Sequence, residues 1–229
     1  MIQRPGTDLA PVHVWLKPVE RDQRSAAHAL LLDLAGTLLT SSSTGTGTGI
    51  GTPVLRHDAA GAPHVDPLAV SISHSQRLVA VTAGLSGPVG IDLEDRYPRP
   101  VSALARRWFT PAELAWMRVQ PEELEAFLHL WTAKEAIGKA LGTGLRSGGL
   151  RRPIPLPAPG EGGGGPLVGG LVASAEHLVL AHVPVAADAV VAVVVPVGTP
   201  AIEVLEHHGA ALRSTAVSRT SFPVVVRGN

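Results

Sequence analysis

Short, β-rich apolar runs alternate along this chain with a few longer helical stretches, and this alternation most constrains the fold. The runs expected to form strands are 12–16, 54–57, 69–72, 78–83, 89–93, 179–185 and 189–197, and the expected helices are 25–39, 101–108, 111–117 and 121–141. Strand–helix–strand order occurs on both sides of a division near residue 87. The pattern predicts an α+β fold of two similar halves, 1–87 and 88–229, packed as a pseudo-dimer.

Three segments show little periodicity. Residues 41–52 are rich in Ser, Thr and Gly, but no Gly-Lys-Ser/Thr sequence follows, which favours a linker over a phosphate-binding loop. Residues 151–170 are rich in Pro and Gly and are expected to be irregular. The tail 198–229 is poorly defined, and we expect one short helix in it, around 202–212.

Composition and charge argue against several classes of protein. The formal net charge is zero, so neither nucleic acid nor a membrane surface is an expected partner. The absence of cysteine excludes disulfides, zinc–thiolate sites and thiol nucleophiles. The first residues lack a signal-peptide pattern, and no apolar run approaches the ~20 residues that span a bilayer. We therefore expect a cytoplasmic protein.

Two carboxylates lie close together at the end of a predicted strand, in the sequence Gly-Ile-Asp-Leu-Glu-Asp that begins at Gly90. Because side chains two residues apart on a strand share a face, Asp92 and Glu94 are expected to project together. Adjacent carboxylates repel each other unless a cation lies between them. The pair indicates either a metal site or two solvated acids at the end of a strand.

The longest predicted helix carries a second group of charges. Trp131, Glu135 and Lys139 are spaced four residues apart and share one helix face, which Lys134 flanks. An ordinary Glu–Lys pair on a solvated helix would look the same. However, only three of the chain's 19 cationic side chains are lysines, and two of the three fall here. This bias favours a local need for a compact ammonium charge.

The sequence Ser-Ile-Ser-His-Ser over 71–75 begins within the predicted strand 69–72 and is expected to form a turn of small polar residues at its end. A single histidine is more often structural than functional. Flanked by two hydroxyl groups, His74 is nevertheless well placed to bind an anion such as phosphate.

The order of these three motifs resembles that of the 4′-phosphopantetheinyl transferases of the surfactin-synthetase-activating (Sfp-like) type. That family has a Ser-His-Ser turn, a Gly-(Val/Ile)-Asp-(Val/Ile/Leu)-Glu strand and a Trp-x-x-Lys-Glu-(Ala/Ser)-x-x-Lys helix. The similarity runs from about residue 70 to 145 and includes Arg-Trp-Phe-Thr-Pro-Ala-Glu at 107–113. The family transfers the phosphopantetheine arm of coenzyme A to a serine of an acyl or peptidyl carrier protein and releases adenosine 3′,5′-bisphosphate.

The resemblance also implies roles for individual residues. The implied Mg²⁺ ligands are Asp92, Glu94 and Glu135, and the implied coenzyme A contacts are Ser73, His74, Lys134 and Lys139, with His74 at the 3′-phosphate. Glu135 is the first candidate for the general base that activates the carrier serine, directly or through a metal-bound water, and Glu113 is the second. Lys134 or Lys139 would assist the leaving group. Trp131 is expected either to anchor the helix by packing or to contact the substrate.

The N-terminal third departs from the family pattern. The expected basic segment is reduced to Lys17, Arg21 and Arg24, and the usual Gly-Lys-Pro turn reads Gly-Ala-Pro at 61–63. Arg24 or Arg77 could replace the missing cations. The acidic recognition helix of a carrier protein is expected to meet a basic or apolar surface. The arginines 96, 99, 106 and 107 are either contacts for it or an ordinary solvated helix face.

Two other functions are compatible with these motifs. One is a non-catalytic relative that binds coenzyme A or a carrier protein, and the other is a Mg²⁺-dependent phosphohydrolase. Two homologous halves in one chain would form the site that smaller relatives build between subunits, so we expect a monomer.

Overall fold

The structure is a computed structural model that describes residues 9–42, 52–144, 149–156, 167–208 and 217–227. Four α-helices are present in these ranges: α1 (Gln23–Ser42), α2 (Ser102–Trp108), α3 (Pro111–Arg118) and α4 (Glu123–Ala140), and a short 3-10 helix spans Gly149–Arg151. The strands are β1 (Val12–Pro18), β2 (Arg56–His57), β3 (Pro63–His64), β4 (Ala69–His74), β5 (Leu78–Gly84), β6 (Gly90–Asp95), β7 (Leu167–Val172), β8 (Ala175–His182), β9 (Ala189–Pro196), β10 (Ala201–His207) and β11 (Val217–Val226). None of the helices in the described ranges is long and apolar enough to cross a bilayer.

Nine strands form one mixed sheet in the order β4-β5-β1-β10-β11-β7-β8-β9-β6, and β2 pairs with β3 in a separate hairpin. The pairs β1–β10 and β11–β7 are parallel, and the other pairs of the large sheet are antiparallel. Helices are packed on this sheet rather than alternating with parallel strands, so the predicted α+β class is confirmed.

The two ends of the sheet have the same local topology. In the first, β1 leads through α1 to β4 and β5, which lie in the order β4-β5-β1. In the second, β6 leads through α4 to β8 and β9, which lie in the order β8-β9-β6. Both sets of three strands are antiparallel throughout.

Each long helix covers the outer face of its own set of strands. Leu31 and Leu34 of α1 pack in one buried cluster with Val81 of β5, and α4 packs in a second cluster with β8 and β9. A third cluster, which includes Val14 and Val193, fills the space enclosed by the inner face of the sheet. The scarcity of aromatic residues is compensated by Val, Leu, Ile and Ala, which bury the apolar area that drives folding.

The sheet curls so that its two terminal strands, β4 and β6, lie side by side. They are joined by serine side chains: the Ser71 hydroxyl accepts the Ile91 N–H and the Ser73 hydroxyl accepts the Leu93 N–H, each at 3.2 Å. Buried backbone N–H groups need acceptors, and here hydroxyl oxygens take the place of strand carbonyls. We call this contact the serine seam.

The expectations for the C-terminal tail were wrong where the structure describes it. Residues 202–207 form strand β10 and not a helix, because Ile202 and Val204 are buried between β1 and β11 and sheet pairing outweighs local helix propensity. The long strand β11 was not predicted. The 209–212 part of the expected helix lies outside the described residues.

Two other irregular segments are also partly ordered. Residues 167–170 of the predicted irregular segment belong to strand β7, which pairs with β8 and β11, whereas 157–166 lie outside the described residues. In the expected linker, residues 41 and 42 continue helix α1, and 43–51 lie outside the described residues.

Candidate active site

Helix α4 lies directly on strand β6 because β6 begins with Gly90. A methyl group at this position would overlap the carbonyl oxygen of Ala136 and crowd Ala140. The close approach brings Glu135 and Lys139 of α4 next to Asp92 of β6. The predicted strand face and the predicted helix face therefore meet.

Asp92 is buried and receives two strong hydrogen bonds at the same carboxylate oxygen. Lys139 Nζ and Ser73 Oγ each donate to Asp92 Oδ1 at 2.7 Å, and Lys139 Nζ also donates to the Ile91 carbonyl at 3.0 Å. Charge-assisted bonds of this length are among the stronger ones in proteins. Asp92 thus connects β4, β6 and α4.

Glu94 lies on the same face of β6 and is held by a different cation. Arg99 Nη2 donates to Glu94 Oε2 at 2.7 Å. Burial raises the pKa of Glu94, the neighbouring Asp92 charge raises it further, and Arg99 opposes both effects.

Glu135 is half-buried, and its side-chain carboxylate receives no hydrogen bond from the described residues. Burial raises its pKa to about 7, and the charges of Asp92 and Glu94 act in the same direction, while Lys139 acts against them. A carboxylate that ionises near neutral pH can accept a proton from a substrate hydroxyl group.

The three acids are close enough for their charges to interact, but they do not form a closed metal cage. Within the described ranges, no group of three His, Asp or Glu side chains is close enough together to hold a metal ion. Lys139 and Arg99 balance part of the charge of the acids instead. The donors themselves suit Mg²⁺, which prefers a few carboxylates together with phosphate oxygens and water.

Lys134 and Glu113, for which the resemblance implies catalytic roles, lie next to each other. They are each 1% exposed and form a buried ion pair, with Lys134 Nζ 2.8 Å from Glu113 Oε1. Lys134 also donates to the Arg152 carbonyl at 2.7 Å, and burial lowers its pKa. No hydrogen bond or ion pair described in the structure joins this pair to Asp92, Glu94 or Glu135.

Glu113 has a clear structural role. Its Oε2 accepts the Thr110 N–H at 2.7 Å and completes a capping box at the start of α3, while Oε1 accepts the Ile154 N–H at 3.3 Å. With Lys134, it therefore ties α3 and the segment 149–156 to α4.

A cavity of about 580 Å³ opens beside Lys139, between α1, the β2–β3 hairpin, β4 and the end of α4. Five of its lining side chains are cationic or can become so: Arg24, His28, His57, His74 and Lys139. The rings of His28 and His57 are 5.1 Å apart. Burial lowers the pKa of His28, and repulsion from His57 and Arg24 lowers it further.

Sequence reasoning missed His28 and His57. The sequence analysis noted only that the Gly-Ala-Pro turn at 61–63 lacks the lysine that is usual in the family. In the structure, the β2–β3 hairpin that contains this turn brings His57 to the cavity. Of the three remaining N-terminal cations, Arg24 lines the cavity. Arg77 lies near Asp95 and Asp188, at 3.7 and 3.6 Å.

A second groove of about 730 Å³ lies on the other side of His74. Its walls include Glu94, Arg99, Trp131 and Tyr97, of which Tyr97 is 62% exposed. Trp131 stacks on Phe127 of the same helix, with ring centroids 5.5 Å apart. It also packs against the buried cluster beneath α4 and forms part of the groove wall. His74 is common to both spaces and stands at the junction between them.

The four arginines considered as carrier contacts separate into two pairs. Arg96 binds Glu125 through two hydrogen bonds of 2.7 and 3.0 Å, and Arg99 binds Glu94. Arg106 and Arg107 are exposed on α2, where Arg107 lies over the Trp108 ring.

Comparison with known proteins finds a similarity in the part of the chain that carries the acids. Residues 88–159 match the family model of the 4′-phosphopantetheinyl transferase superfamily. The matched segment holds β6 and α2 to α4 and therefore includes Asp92, Glu94 and Glu135.

Individual relatives show the same similarity. The chain is 41% identical over 83 residues to the 4′-phosphopantetheinyl transferase HetI of Nostoc, an alignment that covers 34% of each protein. It is 38% identical over 77 residues to the 4′-phosphopantetheinyl transferase Sfp of Bacillus subtilis, covering 33% of this chain and 34% of the relative. For the transferase gsp of Aneurinibacillus migulanus, the identity is 36% over 95 residues, covering 40% and 39%. The chain thus matches between a third and two fifths of the length of these relatives.

Proposed function

We propose that this protein transfers the 4′-phosphopantetheine arm of coenzyme A to a serine of an apo acyl or peptidyl carrier protein, as a transferase of the surfactin-synthetase-activating type. The observation that carries the proposal is the position of the acids. Lys139 pairs with Asp92 and also lines a cation-rich cavity, whereas Glu94 lines an exposed groove, and His74 lines both spaces. The charge of Glu135 interacts with those of Asp92, Glu94 and Lys139.

The cavity suits the nucleotide end of coenzyme A. A 3′-phosphate in it would be near Arg24, His28, His57 and His74, which together replace the basic segment missing from the N-terminal sequence. Lys139 lines the same cavity and contacts Asp92, so the pyrophosphate would lie where the cations of the cavity meet the acids. Two polar residues of β4, Ser71 and His74, also line this cavity.

The transfer reaction forms a bond between the carrier serine oxygen and the phosphorus that bears pantetheine. The bond from that phosphorus to the oxygen of the adenosine phosphate breaks, and adenosine 3′,5′-bisphosphate leaves. Glu135 takes the serine proton, since it is half-buried and has no competing donor among the described residues, whereas Glu113 is buried in its pair with Lys134. Lys139 stabilises negative charge on the pyrophosphate oxygens.

Mg²⁺ would be held by Asp92, Glu94 and Glu135 and would supply charge neutralisation on the pyrophosphate. The three side chains suit Mg²⁺ because they offer hard oxygen donors whose negative charges repel one another. In the structure, Lys139 and Arg99 balance part of this negative charge. The chain's own residues would orient the substrates around it.

The carrier protein would dock at the groove that Tyr97 and Trp131 line, next to Glu94. Exposed Arg106 and Arg107 on α2 offer positive charge to an acidic carrier surface. The proposal includes a single-chain enzyme in the cytoplasm, built from the halves 1–87 and 88–229 as a pseudo-dimer. The shared βαββ order at the two ends of the sheet supports this division.

Intact mass spectrometry tests the transfer directly. The protein is incubated with coenzyme A, Mg²⁺ and an apo carrier protein, and a mass gain of one phosphopantetheine arm supports the proposal. Coenzyme binding without a mass gain would instead favour a non-catalytic binding relative. Release of inorganic phosphate without a mass gain would favour a phosphohydrolase.

A further inference from the structure

The serine seam contains two residues in closely matched positions. Ser71 and Ser73 both lie on β4, are 4% and 5% exposed, and accept a β6 backbone N–H at 3.2 Å. They differ in one respect. The Ser73 hydroxyl also donates to Asp92 Oδ1 at 2.7 Å, whereas Ser71 has no such contact with a carboxylate among the described residues.

A hydroxyl group has one hydrogen to donate. In Ser73 that hydrogen is directed to Asp92, and the Leu93 N–H occupies an acceptor position on the same oxygen. An ionised phosphate group accepts hydrogen bonds and needs a donor. Ser73 therefore has no hydrogen left for a coenzyme A phosphate while it holds Asp92.

Both donors that reach Asp92 bind the same oxygen. Ser73 Oγ from β4 and Lys139 Nζ from α4 each lie 2.7 Å from Oδ1, which leaves Oδ2 without a donor from the described residues. Two donors from different elements fix the carboxylate plane. An oxygen without a donor is the one that remains available to a cation.

We propose that Ser73 is a positioning residue: it orients Asp92 for Mg²⁺ across the contact between β4 and β6 and does not bind coenzyme A itself. This rests on the proposed function for the identity of the metal. It gives strand β4, from the opposite end of the sheet, a role in the site carried by β6 and α4. Ser71 provides the seam contact without the carboxylate contact and is the natural control.

The test compares Ser73→Ala with Ser71→Ala, because each removes one hydroxyl acceptor from the seam. Mg²⁺ affinity is measured by calorimetry, and coenzyme A affinity is measured separately in the absence of metal. We expect Ser73→Ala to weaken Mg²⁺ binding by about tenfold, the lower end of the range for residues that orient a metal ligand. Ser71→Ala should change Mg²⁺ affinity by less than about twofold on the same physical argument.

Ser73→Thr keeps a hydroxyl group and should restore most of the Mg²⁺ affinity, and coenzyme A affinity without metal should be unchanged in Ser73→Ala. The inference is overturned if the two alanine variants lose Mg²⁺ affinity equally, which would indicate only a seam defect. It is also overturned if Ser73→Ala weakens coenzyme binding without metal, or if the wild type does not bind Mg²⁺. A wild type that binds Mg²⁺ but leaves the carrier protein unmodified would contradict the proposed function alone.

Discussion

Lys139 Nζ lies 2.7 Å from Asp92 Oδ1 and 3.0 Å from the Ile91 carbonyl oxygen, so one ammonium group binds both the side chain and the backbone of strand β6. The contact is possible because α4 lies flat on β6 over Gly90. The spacing between helix and strand therefore determines where the acids and the cation meet.

Substitution of Gly90 tests this close packing. Gly90→Ala should lower the free energy of unfolding by about 1–3 kcal/mol, since the new methyl group overlaps the Ala136 carbonyl and α4 must move away from β6. Urea denaturation measures the change. The control is Gly36→Ala in helix α1, where a methyl group meets nothing within 4 Å and should stabilise the protein by about 0.5–1 kcal/mol. Equal stability of Gly90→Ala and wild type would contradict the packing argument.

The buried pair of Lys134 and Glu113 should contribute to stability more than to chemistry. Lys134→Met leaves the Glu113 carboxylate without its cation, and removing one partner of a buried pair costs about 3–5 kcal/mol. Chemical denaturation of Lys134→Met and Glu113→Gln measures the loss. The double variant should lose less than the sum of the two single losses, because no single charge is left buried.

The alternative for this pair is a direct catalytic role, as the resemblance implied. It predicts a stable Lys134→Met protein with a much lower kcat. Unfolding free energy and kcat measured on the same preparations separate the two roles.

The sequence predicted the grouping of the acids because the spacing on the strand and the spacing on the helix each place charged residues on one face. Period-two spacing placed Asp92 and Glu94 on one strand face, and four-residue spacing placed Glu135 and Lys139 on one helix face. The same reasoning grouped Lys134 with the site because it adjoins Glu135. Successive helix residues point about 100° apart, so Lys134 turns away to Glu113, a partner 21 residues earlier that only tertiary packing reveals.

The rest of the site and fold depended on long-range pairing that local patterns do not encode. His28 and His57 meet because α1 and the β2–β3 hairpin converge on one cavity. Strand β10 contains good helix formers, but its partners β1 and β11 lie far away in sequence and supply the hydrogen bonds of a sheet.

The histidines of the cavity should make coenzyme A binding dependent on pH. Protonated His28 attracts a phosphate group, and a bound phosphate raises the low pKa of His28, so binding takes up a proton. Affinity should fall as pH rises from about 6 to 8, by at most about tenfold per pH unit for each proton taken up. Calorimetric titration at several pH values without metal measures this.

Dephospho-coenzyme A, which lacks the 3′-phosphate, is the matched ligand and should bind with little dependence on pH over the same range. His28→Gln should flatten the curve for coenzyme A itself. The same slope for both ligands would contradict a histidine-based phosphate site.

His182 should limit stability in acid. Its Nε2 lies 3.0 Å from the His129 carbonyl, and burial followed by the His129 charge lowers its pKa to about 3. The unfolded chain takes up this proton below about pH 6.5, and the folded protein does not. The stability from neutral His182 is therefore present above pH 6.5 and is lost as pH falls toward 3, by at most about 1.4 kcal/mol per pH unit.

Thermal unfolding of wild type and His182→Gln between pH 4 and 8 checks this prediction. Glutamine keeps an N–H donor for the carbonyl but does not titrate, so the variant should lose less stability in acid. Parallel curves for the two proteins would show that His182 does not cause the acid dependence.

The central claim is that the Asp92 cluster transfers the coenzyme A arm, and the most direct test is the mass of an apo carrier protein after incubation with coenzyme A and Mg²⁺. Wild type should add one phosphopantetheine arm to every carrier molecule. Asp92→Asn keeps the shape of the side chain but loses its charge, and it should lower the transfer rate by about 100-fold or more. Modification by Asp92→Asn at the wild-type rate, or no modification by wild type, would contradict the account.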